Sequence, residues 1–260
     1  MFKRMVSALA LVTIGLAGSA AADGYAPGKR ALSWTGFYVG LNAGAIWDKS
    51  DHALTPSGLF IDPLFIPTNP LRSPIGDLDS ARLTGGLQVG ANYQMGAIVV
   101  GVEADFNSSG LKSSDALLTA LPSPPLAGTM EHRVDEKLNW FATLRGRLGI
   151  AASDRLLIYG TAGWALGHVE SSTFVQFSLD GDTYASNFSS RRSGWTAGGG
   201  FEYALGTNFT VKGEVLFIDL GSVSYVSQEQ TVFPGFTYTT TLDLTEVVAR
   251  VGVNYKFGGK

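Results

Sequence analysis

The stretch EVVARVGVNYKF, residues 246–257, decides how the rest of the chain is read. Val247, Ala249, Val251, Val253, Tyr255 and Phe257 recur at every second position, and Glu246, Arg250, Asn254 and Lys256 fall between them. An extended chain puts these two sets on opposite faces, whereas a helix would scatter both around its circumference. The segment is therefore a strand with one apolar face and one charged face. A soluble core alone does not explain a face this continuously apolar backed by full charges.

The same alternation recurs upstream. In residues 34–48 the apolar set is Phe37, Val39, Leu41, Ala43, Ala45 and Trp47, with Gly36, Tyr38, Gly40, Asn42 and Gly44 between. A second strand, 82–95, sets Leu83, Leu87, Val89, Ala91 and Tyr93 against Arg82, Thr84, Gln88, Asn92 and Gln94. After Gly96 and Ala97, which leave room only for a tight turn, Ile98, Val100, Val102, Ala104 and Phe106 alternate with Glu103, Asp105 and Asn107. A fourth strand, 136–151, is phased with Leu138, Trp140, Ala142, Leu144, Leu148 and Ile150 outward and Asn139, Thr143, Arg145 and Arg147 inward. The fifth, 156–169, takes Leu156, Ile158, Ala162, Trp164 and Leu166 outward. The sixth takes Trp195, Ala197, Phe201, Tyr203 and Leu205, with Thr196, Gly198, Gly200 and Glu202 inward. The seventh takes Phe209, Val211, Val215 and Phe217 outward, with Thr210, Lys212 and Glu214 inward.

Residues 49–80, 108–135, 170–192 and 219–245 lack this pattern and are expected to be loops, the first two being rich in proline. Long connections thus alternate with short ones, as in outer-membrane barrels with long external loops and short periplasmic turns. The pattern predicts an all-β fold: an eight-stranded antiparallel transmembrane β-barrel with four long external loops, whose even strand count leaves both termini in the periplasm. The outward aromatics sort into two belts, Trp47, Phe106, Trp140, Trp164, Trp195 and Phe217 toward the outside, and Phe37, Tyr93, Tyr203, Phe209, Tyr255 and Phe257 toward the periplasm. Two girdles around a lipid band are what a membrane barrel requires.

Composition agrees. The chain has 260 residues, no cysteine, 33 glycines, a formal net charge of -3 and 16% charged residues. This excludes a disulfide framework and a thiolate metal site, and with no basic block it excludes a nucleic-acid binder. Residues 1–22 read as a secretory signal peptide: Lys3 and Arg4, then an apolar centre too short to span a bilayer, then Ala20-Ala21-Ala22 as a cleavage pattern. Residues 23–33 form a polar periplasmic leader, and 34–260 the barrel domain.

The segments WTGFYVGLNAG (34–44), GGLQVGANYQ (85–94), LRGRLGIA (144–151), LIYGTAGWALG (157–167) and VGVNYKF (251–257) resemble the small porin-family outer-membrane proteins of alphaproteobacteria. That family includes the major surface proteins of Brucella and Rhizobium and the haemin-binding proteins of Bartonella. The resemblance covers essentially all of the mature chain. It implies an OmpA-like transmembrane barrel with variable surface loops, made in a Gram-negative cell, and brings no catalytic mechanism. Unlike full-length OmpA, the chain stops after strand eight, so no peptidoglycan-binding domain is expected. A short tail also follows Phe257, where the assembly signals of such proteins usually end on the aromatic.

Two constellations could carry chemistry. Arg82, Arg145, Arg147, Lys212, Arg250 and Lys256 face inward together with Glu103, Asp105, Glu202, Glu214 and Glu246; an interior enclosed by eight strands is wide enough only for side chains, so these charges are read as a packed ion-pair core in preference to a selectivity ladder. His52, His132 and His168 are the only histidines and fall toward the external strand ends, which makes them candidate haem ligands, although no ligand spacing is present. No motif of hydrolases, zinc proteases or nucleotide binders occurs, and no enzyme activity or cofactor is expected. The expected role is a structural, surface-exposed barrel supporting envelope integrity, with a haem receptor or a small diffusion porin as the alternatives. Expected partners are outer-membrane lipid and lipopolysaccharide, the outer-membrane assembly machinery and a haem or host-surface ligand at the loops, with no nucleic acid.

Overall fold

The computed structural model describes residues 32–49, 51–57, 82–120, 129–178, 183–229 and 237–257. The expected signal peptide and all but the last two residues of the leader lie outside the described residues. Strands β1 (Gly36–Asp48), β2 (Asp51–Ser57), β3 (Arg82–Met95), β4 (Ile98–Ala120), β5 (Thr129–Ala151), β6 (Leu156–Phe177), β7 (Thr183–Ala204), β8 (Phe209–Glu229) and β9 (Thr237–Lys256) form one antiparallel sheet. Each strand pairs with its neighbour, and β1 pairs with β9, so the sheet closes on itself. Asp48 lies opposite Glu246 and Asp51 opposite Asp243, so β2 continues β1 along β9 in the same register. The ring therefore has eight staves, the first interrupted once. At membrane level closure leaves no open edge, which a sheet in hydrocarbon requires because lipid offers no hydrogen bonds.

The facing of the membrane-level strands follows the alternation. Leu41, Leu87, Val89, Val102, Leu144, Leu148, Val215 and Val251 are all more than half exposed, a band of aliphatic surface that only lipid can cover. Rings meet at both of its borders. Phe106 stacks on Trp140 at 5.5 Å and Trp195 tilts against Phe217 at 5.3 Å on one side, while Phe209, Tyr255 and Phe257 form edge-on pairs at 5.2 and 5.0 Å on the other.

Much of what the sequence assigned to external loops is strand. β4 and β5 are 23 residues each and β6 and β7 are 22, so the barrel wall continues beyond the outer girdle. From Trp140 to the start of β5 at Thr129 the wall rises roughly 25 Å further, given about 3.3 Å per residue and a tilt near 40°. The reason lies in the solvent. Beyond the lipid the outer face meets water, so the alternation inverts: in β9, Leu242 and Leu244 point inward and are buried while Asp243 is exposed. A search for apolar residues on the outside passes over such a segment.

Two further differences come from bulges. Around Asn139 the β5–β6 register shifts, and Leu138, expected to face outward, is instead fully buried in the interior. Asn139 takes up the extra residue, which exchanges the two faces of β5 above it. In β8 a second bulge at Leu220 and Gly221 shifts the register against β9, and Gly221 has a φ of 76°, a left-handed conformation that glycine adopts without steric penalty.

Candidate functional site: the barrel interior

The lumen is filled in three layers. At the periplasmic end Trp34 is 2% exposed and packs with Val99, Leu157, Tyr159 and Ala204, and Leu32 and Ala151 lie against them. The incoming chain is pinned there: the Trp34 amide donates to Gln94 Oε1 at 2.7 Å, the Gln94 amide donates to Thr35 Oγ1 at 2.9 Å, and Lys256 Nζ donates to the Ser33 carbonyl.

The middle layer is ionic. Strand register alone sets Glu103 opposite Arg145 and Glu214 opposite Arg250. Arg145 reaches Glu103 at 2.5 Å, Asp105 at 2.7 Å and Glu214 at 2.9 Å. Arg250 reaches Glu214 at 2.7 Å and Asp105 at 3.0 Å, and Arg147 reaches Glu202 at 2.8 Å. Lys212, on β8, meets Glu103, on β4, at 2.7 Å. Those two strands are diametrically opposed in the ring, so this ion pair crosses the whole lumen. Four carboxylates, Glu103, Asp105, Glu202 and Glu214, thus face four cations, Arg145, Arg147, Lys212 and Arg250, with every side chain nearly or fully buried. Such burial is tolerable only when charges are paired and their remaining hydrogen bonds are made. Neighbours supply them to the carboxylates: Tyr38 donates to Glu103 at 2.7 Å, Thr143 to Asp105 at 2.7 Å, Thr210 to Glu202 at 2.6 Å and Tyr159 to Glu214 at 3.0 Å, while Arg147 Nε and Arg250 Nη1 have no hydrogen-bond partner among the described residues. Arg147 also lies 3.8 Å from the Tyr159 ring centroid. Gly90 leaves room for the Tyr38 phenol, which a side chain at that position would strike.

The outer layer was missed by the sequence reading. Ile46, Phe141, Ala165, Leu216, Ile218 and Val248 are all fully buried inside the barrel, and Leu111, Leu138, Val169, Leu220, Val223, Leu242 and Leu244 continue this core outward. The signal was present as apolar residues on the nominally polar phase of β1, β8 and β9.

Three residues expected in the ion-pair core are placed otherwise. Arg82 is exposed at the outer start of β3, where the strand leaves the ring's interior. Glu246 is fully buried but lies among the apolar residues of the outer layer, opposite Ile218 and Asp48, and neither carboxylate oxygen has a hydrogen-bond partner among the described residues. The layer boundary passes between Glu246 and Arg250, which strand phase cannot locate. Lys256 is buried at the periplasmic floor, apart from the ionic cluster.

The histidines do not converge. His168 stacks on Trp140 on the outer wall at 6.2 Å and approaches Glu170 at 3.5 Å. His132 stands opposite Val175 on β6, seven positions beyond His168 (175 − 168), and His52 pairs with Leu242 on β9; the side chains of both lie outside the described residues. Next to His168, beyond the girdle, Asn139 donates to Glu170 at 2.8 Å, and this hydrogen bond, helped by Lys137, holds the Glu170 carboxyl below the usual range.

A closed ring with a lipid-facing aliphatic band, aromatic girdles and a polar-centred interior defines an integral β-barrel of the outer membrane. The chain belongs to the family described as outer membrane protein beta-barrel domain, whose model matches residues 8–257. It is 35% identical over 229 residues to the 31 kDa outer-membrane immunogenic protein of Brucella melitensis, covering 87% of this chain and 85% of that protein. It is 31% identical over 204 residues to the 22 kDa outer membrane protein of Rhizobium leguminosarum, covering 77% and 71%. Among solved structures, the outer membrane protein OprG from Pseudomonas aeruginosa aligns with 86% of this chain and 96% of its own at 14% identity and a TM-score of 0.46. The protein is thus an outer-membrane β-barrel protein.

Proposed function

We propose that this barrel is a structural, surface-presenting element of the outer membrane that does not conduct, with the long hairpins on the cell exterior and both termini in the periplasm. The observation that carries this is the Lys212–Glu103 pair: opposite walls of the ring touch through a 2.7 Å salt bridge, between the Trp34 floor and the outer apolar core. A diffusion channel needs a continuous water path, and a dry ionic layer between two apolar layers opposes one. The wall beyond the girdle, stiffened by its own core, carries the described strand ends at Ala120, Thr129, Phe177 and Thr183 away from the membrane, a geometry suited to contact with the environment. The names of the Brucella relatives record that those proteins are immunogenic, in keeping with surface presentation.

The test is single-channel recording of the refolded protein in planar bilayers. The wild type is expected to give no stable large openings, and neither is Arg145→Ala combined with Glu214→Ala, because the Trp34 floor and the outer apolar core still close the lumen on either side of the ionic layer. Stable nanosiemens openings of the wild type, on the order expected of a water-filled barrel, would replace this reading with that of a porin.

A further inference from the structure

Charge is unevenly distributed around the outer border of the lipid band. Register places Ser108, Trp140, His168 and Arg191 in one outward row across β4 to β7, and Lys112, Lys137, Glu170 and Ser189 in the row beyond it. Within six residues of the girdle rings Phe106, Trp140, Trp164 and Trp195 (112 − 106 at most), this side thus carries Lys112, Lys137, His168 and Arg191, with Ser108, Leu166 and Ser193 between rings and cations. On the opposite side the same zone holds Asp219 and Asp243 with the hydroxyls of Ser222, Ser224, Thr241 and Thr245. The one acid within the basic arc, Glu170, is already engaged by Asn139, Lys137 and His168. Lys112 and Arg191 are exposed and have no carboxylate partner among the described residues. Directly below them the Phe106–Trp140 stack presents flat apolar surface to the bilayer, with Phe106 53% exposed.

Cations on the outer face of the wall, within about three repeats of the alternation beyond an aromatic girdle, stand in the head-group zone, where each is drawn to anionic lipid. In the outer leaflet of an outer membrane the anionic head group is the phosphorylated diglucosamine of lipid A. We propose that the β4–β7 face is a one-sided docking face for lipid A, with Lys112, Lys137 and Arg191 taking its phosphates and the Phe106–Trp140 stack its acyl chains. The proposal rests on the orientation given above, with the hairpins outside. The acidic arc on β8 and β9 repels the same head group, and between the two faces the only cations at this border among the described residues are Lys49, just past β1, and Arg82 on β3, so the bound lipid is favoured on the β4–β7 side, where the cations cluster.

The experiment compares two triple variants with equal change in net charge. Lys112→Gln, Lys137→Gln and Arg191→Gln remove the arc; Ser222→Asp, Ser224→Asp and Thr241→Glu add the same charge on the opposite side. Each barrel, folded in zwitterionic detergent, is titrated with diphosphoryl lipid A and followed by tryptophan fluorescence. The first triple is expected to weaken binding by about tenfold or more, steeply reduced by salt, and the second by about twofold or less. Equal weakening by both triples, no binding by the wild type, or equal affinity for phosphatidylglycerol micelles or inorganic phosphate overturns the proposal. Orientation is read separately. The chain has no cysteine, so Ser114→Cys gives a single site for an impermeant maleimide on intact cells. Labelling only after lysis removes the orientation and the docking face with it; labelling from outside with indistinguishable triples removes the docking face alone.

Discussion

Replacing Arg145 by alanine deletes the centre of the ionic layer. Its guanidinium touches Glu103, Asp105 and Glu214 at 2.5 to 2.9 Å, and all four side chains are fully buried. The cluster then holds four carboxylates and three cations, so one negative charge is left unbalanced where water cannot reach it. Breaking a buried pair in this way costs about 3–5 kcal/mol. Glu103 keeps Lys212 at 2.7 Å, and Asp105 and Glu214 keep Arg250 at 3.0 and 2.7 Å, which draws the loss toward the lower end of that range. The space vacated by so large a side chain acts in the opposite direction. The expected loss is therefore about 3–4 kcal/mol. Glu214→Ala alone should cost a similar amount, because it leaves three carboxylates for four buried cations and takes a partner from both Arg145 and Arg250. The double variant restores balance at three charges of each sign, so its loss should fall short of the sum of the singles by about 1–3 kcal/mol. The assay is urea unfolding of the barrel in lipid vesicles, followed by tryptophan emission and by the folded-form shift on gels. An Arg145→Ala loss under about 1 kcal/mol, or additive singles, would refute the dry, coupled interior, since exposed ion pairs give values of that size.

Val89→Arg, on the lipid face, should destabilise the inserted barrel by about 2–4 kcal/mol, while Ser114→Arg, outward but beyond the girdle, should change stability by less than about 1 kcal/mol; equal effects in the same unfolding assay would remove the assigned lipid band. Glu246→Leu should stabilise by about 1–3 kcal/mol, because it removes a buried carboxyl without hydrogen bonds from an apolar layer, and a net loss would show that the carboxyl has a partner in the folded barrel. Trp34→Ala should cost about 3–5 kcal/mol in the same unfolding assay, and an unchanged unfolding midpoint would show that this side chain does not pack the periplasmic floor.

What the sequence determined by itself is facing. A strand has a period of two, so each residue's side of the sheet follows from its neighbours, and the apolar and polar sets of β1, β3, β4 up to the bulge, and β9 within the membrane could be assigned from identities alone. Gly96 marked a hairpin turn in the same local way, by the positive φ it supplies. Tertiary structure decided everything that depends on depth and curvature. The solvent outside the wall changes from lipid to water at one height, which inverts the pattern of β9 at Leu242 and Leu244 and made strand look like loop. A single extra residue at Asn139 turned Leu138 inward, an event invisible to periodicity because the composition on either side stays the same. Closure of the ring carried Lys212 across to Glu103, and stacking of layers left Arg82 at the rim and Glu246 among aliphatic side chains. Alternation is a property of neighbours along one strand; which charges meet across a lumen is fixed by the register of all eight staves at once.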